Sequence, residues 1–187
     1  HQTKSQVVCA FGAVGGYLPV VSAFMITFGK AASDRMFLPV SSAYFCVLAV
    51  IIFVMTYNKK WYAAQFIGYS LHIVALGGIA RCAWALKNIA GYEYALPLAA
   101  GFAIVSFVIY LMMPAVKIFA DKPIGMGDFV LLALNTVSGA VSVSITLHNC
   151  FEKGVANRNV GIVFLLFALI YAVLMLKSTH KKDEKAN

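Results

Sequence analysis

The sequence predicts an all-α fold, a polytopic membrane protein built as a bundle of six transmembrane helices. Three observations lead there. Apolar residues make up 61% of the 187 residues and mean hydropathy is +0.84, whereas soluble domains hold roughly 45–50% apolar residues. The apolar residues come in blocks of about 20, the length that crosses roughly 30 Å of hydrocarbon. Charged residues fall mainly between the blocks or at the C-terminus. Residues 1–177 therefore read as one transmembrane domain, and 178–187 as a charged, disordered tail.

Span 1 covers about 7–28. It is too long and too rich in glycine for a signal-peptide core, so it is expected to be a mature helix. Gly12 and Gly16 are spaced for close helix packing, and Pro19 removes one intrahelical bond and predicts a kink. Residues 29–35 form a short loop before span 2, about 36–57, where Pro39 occupies the tolerated first turn. A basic turn, Asn58-Lys59-Lys60-Trp61, leads into span 3, about 62–85, which holds His72 and Arg81. Nine residues apart, these two point in opposite directions on a helix. After the loop 87–94, with Tyr92 and Tyr94 expected as interfacial anchors, span 4 covers about 95–119 and carries Pro114 as a second kink. A Pro- and Gly-containing turn precedes span 5, about 127–149, and a polar linker precedes span 6, about 160–176.

Span 5 is the most informative stretch. Asp128, Asn135, Ser138, Gly139, Ser142, Thr146 and Asn149 fall within an arc of roughly 100°. Thr136, Ser144 and His148 are the polar exceptions on an otherwise apolar surface. Hydrocarbon cannot hydrogen-bond such a seam, so it is expected to face other helices or water. It then either lines a path for a small solute or joins helices through side-chain hydrogen bonds and close glycine contact.

The net charge of +8 arises from 15 Lys and Arg against 7 Asp and Glu. In short membrane loops these residues orient helices and meet anionic headgroups, so nucleic acid is not an expected partner. Lys4, Lys59, Lys60, Lys117, Lys122, Lys177, Lys181, Lys182 and Lys185 gather on one side of the membrane. Lys30, Arg35, Arg81, Lys87, Lys153 and Arg158 gather on the other. The excess predicts cytoplasmic termini. Cys9, Cys46, Cys82 and Cys150 stand singly without a CxxC pair and read as free thiols.

Tyr17, Leu18, Pro19, Lys30, Asp34 and Phe37 recur loosely as Tyr110, Leu111, Pro114, Lys122, Asp128 and Phe129. This suggests a 3+3 repeat of inverted halves, a plan common among secondary transporters. A proline in the first helix, a lysine in the first loop and an asparagine after the second helix partly resemble the three-helix units of PQ-loop and SWEET-type carriers. The Pro-Gln pair and a seventh linker span are absent, so no family membership follows and no residue role is carried over.

The acids lie in loops, at span ends or in the tail. A proton- or sodium-coupled pump usually keeps a carboxylate at membrane depth, so facilitated movement is favoured over active transport. No nucleophile elbow, phosphate-binding glycine loop or metal cluster stands out, and neither a cofactor nor a metal is expected. The leading expectation is a channel or facilitative transporter for a small polar solute. Its path would be lined by Asn135, Ser138, Ser142 and Thr146, with Arg81 and His72 as further candidates. A non-catalytic subunit of a larger membrane complex is the second reading. An interfacial enzyme on a lipid-like substrate, with His148 or His72 as base, is the third. The expected partners are the lipid bilayer and either a second copy or other membrane subunits.

Overall fold

A computed structural model describes residues 2–26, 35–57, 61–120, 122 and 124–184. They form helices α1 (Gln2–Ile26), α2 (Phe37–Thr56), α3 (Tyr62–Leu86), α4 (Ala95–Phe119), α5 (Met126–Cys150) and α6 (Lys153–Glu184). Among the described residues, α2 to α6 are each long and apolar enough to cross a membrane. With 25 residues, α1 has the same reach, about 37 Å. The chain is an integral, multi-pass helical membrane protein.

The helices run alternately up and down. Cys9 near the start of α1 packs with Trp61 and Ala64 at the start of α3, so the beginnings of α1, α3 and α5 share one side with the ends of α2, α4 and α6. We call this the first side. At the centre is α4, half of whose span is buried, against 11% for α6 at the periphery. Its most extensive packing is against α5, while α1 packs chiefly on α3. The two triplets of helices therefore pack differently: α1 leans on α3, whereas α4 leans on α5.

Small residues set the closest approaches. Gly139 of α5 lies where a Cβ would run into the Phe107 ring of α4, and that ring stacks on Phe167 of α6 at 3.7 Å between centroids. Gly16 of α1 faces Leu48 of α2, whereas Gly12 is exposed with no heavy atom close to the position of a Cβ.

Helix limits match the sequence expectation closely for α2 to α5, α1 begins five residues before the expected span at Gln2, and α6 departs further. It begins at Lys153 inside the expected linker and continues to Glu184 through most of the expected tail. The segment lacks proline, and its Lys and Glu residues are good helix formers, so the helix outlasts its apolar stretch. The 58–60 turn and most of the 29–35 loop lie outside the described residues. Tyr92 is buried in the core rather than anchored at the interface, and Tyr94 donates a hydrogen bond to the Arg35 carbonyl. This ties the start of α2 to the α3–α4 loop. There Gly91 takes a positive φ of 86° and its N–H donates to the Glu93 carboxylate at 3.1 Å. Glu93's own backbone N–H and that of Gly91 hold this carboxyl below its ordinary pKa of 4.5.

Candidate functional site

The seam of α5 faces the protein interior as far as Thr146, and its last member, Asn149, is exposed. Asp128, Asn135, Gly139 and Thr146 are buried, and Ser138 and Ser142 are half-buried. Its hydrogen bonds go to helices. Asn135 Nδ2 donates to the Phe107 carbonyl of α4 at 3.0 Å. Thr146 donates to its own helix at the Ser142 carbonyl, 2.8 Å away, which satisfies its hydroxyl without a neighbour. Ser138 pairs with the Tyr69 hydroxyl of α3. Thr136, outside the seam, pairs with Tyr171 and so ties α5 to α6.

From Ser138 and Tyr69 a run of ring contacts leads into the centre of the bundle. The Tyr69 ring meets Tyr110 of α4 edge-on at 4.9 Å, and Tyr110 meets the His72 ring at 5.2 Å. His72 is fully buried. Its Nδ1 is 2.8 Å from the Tyr17 hydroxyl of α1, and its Nε2 is 2.8 Å from Ser106 Oγ of α4. An imidazole with one N–H donates to one of these hydroxyls and accepts from the other. His72 and Ser106 lie near the midpoints of 25-residue helices, so the cluster sits at mid-depth. Phe45 stacks on Tyr17 at 5.4 Å, and Phe102 packs against His72 at 5.5 Å.

The Tyr110 hydroxyl is the exception in this cluster. It is buried near the Tyr17 hydroxyl and makes no hydrogen bond of normal geometry with any described residue. A buried hydroxyl left wholly without a partner costs about 1–3 kcal/mol, an upper bound here because the Tyr17 hydroxyl lies beside it, and at mid-membrane no bulk water relieves it.

Formal charge lies elsewhere. Lys117, two turns after Tyr110 and about 10 Å further along α4, pairs with Asp128 at 2.6 Å. Asp128 Oδ2 also accepts the Gly125 N–H at 3.0 Å and the Tyr62 hydroxyl at 3.5 Å. Lysine at the end of one helix and aspartate at the start of the next complement both helix dipoles and close the α4–α5 hairpin.

The structure thus brings His72 and Ser138 into one connected cluster, with Asn135 beside it through Phe107. Ser142 and Thr146 lie further along α5 towards the second side. Arg81 is exposed on α3, on the face opposite His72, and does not join. His148 bonds the Ser144 carbonyl and Asn157 at 2.8 and 2.9 Å, near the second side. Among the described residues no three His, Cys, Asp or Glu side chains converge. The sequence marks Tyr17 and Tyr110 only as matching positions of the loose repeat, and gives Tyr69 and Ser106 no role. A helical wheel of α4 places Ser106 and Tyr110 one turn apart on one face, a signal that was available but common in packed helices.

No protein family matches the sequence, and no curated protein or solved structure is significantly similar to it.

Proposed function

We propose that the protein is a facilitative transporter or channel for a small, neutral polar solute, with its recognition site at mid-depth. The site is formed by Tyr17, Tyr69, His72, Ser106, Tyr110 and Ser138, with Asn135 beside it. The observation that carries this reading is the Tyr110 hydroxyl, buried beside the Tyr17 hydroxyl without a hydrogen bond of normal geometry, in a cluster shared by four helices. The cluster offers hydroxyls, an imidazole and aromatic faces and contains no Asp, Glu, Lys or Arg. Such groups replace the hydration of a neutral solute and offer a poor substitute for that of an ion.

Movement is the second requirement of transport, and the backbone favours it at this depth. Pro114 cannot donate to the Tyr110 carbonyl, and Pro19 cannot donate to that of Gly15, two residues before Tyr17. Each proline is a hinge point beside a tyrosine of the site. The excess of basic residues on the first side supports cytoplasmic termini on this reading.

The test is solute flux in liposomes holding the purified chain, by light-scattering swelling against urea, glycerol and small amides. Flux above protein-free vesicles, reduced in Tyr110→Phe and His72→Ala, is expected. Flux equal to protein-free vesicles across the panel overturns the reading.

A structural subunit is the second reading. It is favoured by the hydrogen bonds of Asn135, Ser138 and Thr146, which are satisfied within the helix bundle. Co-purification with fixed partners in mild detergent supports it, and a lone, monodisperse, flux-competent particle counts against it.

A further inference from the structure

A second feature lies on the outer surface, away from the polar cluster. Helices α4 and α6 touch through the Phe107–Phe167 stack and through Leu111, Ala115 and Leu174. Along the outer side of this seam runs a cleft of about 370 Å³, and every side chain lining it is apolar. Val108, Met112 and Phe119 form one wall, and Leu169, Ile170 and Val173 the other. These six are half-exposed on the membrane-facing surface, so the cleft opens to lipid rather than to the bundle.

One end of the cleft has a charge above it. Lys177 follows Leu174 by three residues and Val173 by four, so it extends the same face of α6 about 5 Å beyond them, at the first side. Lys177 is exposed and has no acidic partner among the described residues. Phe119 ends the opposite wall, where α4 itself ends. An apolar trough within the hydrocarbon, capped by an ammonium at headgroup level, matches one kind of molecule in its surroundings. We infer that the cleft holds an acyl chain of an anionic phospholipid, with the lipid phosphate on Lys177. Neutral lipid chains fill the same trough, and Lys177 supplies the preference. One lysine near an anionic surface corresponds to about a five-fold gain.

The experiment is native mass spectrometry of the full chain released from micelles. The micelles contain equal amounts of phosphatidylglycerol and phosphatidylcholine with identical chains. The wild type is expected to retain phosphatidylglycerol about five-fold over phosphatidylcholine. Lys177→Ala abolishes that preference, and Lys177→Arg keeps it. Val173→Trp, which fills the trough at an exposed position, lowers retention of both lipids. Equal retention by the wild type, a preference that survives Lys177→Ala, or retention untouched by Val173→Trp overturns the inference. So does a dimer that Val173→Trp dissociates, because a second copy would then occupy the cleft. None of these readouts depends on solute flux.

Discussion

Replacing Asp128 with Asn removes the charge opposite Lys117 while keeping the size of the side chain. The two side chains are only 1% and 8% exposed, so water cannot take over the role of the lost partner. Breaking a buried pair from one side costs about 3–5 kcal/mol. The helix-dipole contribution of a single charge is about 0.3–1 kcal/mol, and one weakened hydrogen bond adds about 1 kcal/mol. The uncompensated ammonium therefore dominates, and Asp128→Asn is expected to destabilise by about 4 kcal/mol. Lys117→Met leaves a buried carboxylate and costs a similar amount. The double variant Lys117→Met, Asp128→Asn leaves no formal charge and is expected to recover at least half of either single loss. Unfolding by SDS titration in mixed micelles, followed by circular dichroism, measures all four proteins. Single losses that simply add in the double variant, or an Asp128→Asn loss under about 1 kcal/mol, would falsify the account of a desolvated, mutually dependent pair.

Tyr110→Phe separates function from stability: losing an unsatisfied hydroxyl leaves stability unchanged or raised by up to about 1 kcal/mol, while solute flux falls. A clear loss of stability would mean that the hydroxyl is bonded after all. Gly139→Ala places a methyl group against a Phe107 ring pinned by Phe167 and is expected to cost about 1–3 kcal/mol in the same SDS titration. An unshifted midpoint would show that α4 and α5 part freely there. Glu93 is expected to titrate below 4.5, as followed by carboxyl-detected NMR. Because its folded pKa is depressed, its contribution is present above the unfolded pKa and is lost as pH falls through the folded one. A midpoint at or above 4.5 counts against the bonding of the Gly91 loop.

The lengths of the spans and the inward turn of the α5 seam were legible because lipid imposes them. A helix in hydrocarbon needs an unbroken apolar block and keeps its polar groups away from acyl chains, and both leave a mark at fixed spacing. The ends of α6 were not legible, because outside the membrane hydropathy no longer separates helix from coil. Lys117 read as an ordinary charge at a span end, and Asp128 as a span-end acid that also opens the α5 seam. Their positions, 11 residues apart across a turn, give no sign that the hairpin buries them together.

The amino-acid sequence alone determined the class of protein, the number of its helices and the limits of α2 to α5 to within a residue or two. It also determined that α5 has an inside and an outside. The tertiary structure alone decided which polar groups meet. Tyr17, His72 and Ser106 are separated by 55 and 34 residues, and each on its own helix is one of a few polar groups on a largely apolar cylinder. Whether such a group is satisfied depends on which helix lies opposite and at what height, and that is set by the packing of small residues such as Gly139 rather than by any local pattern.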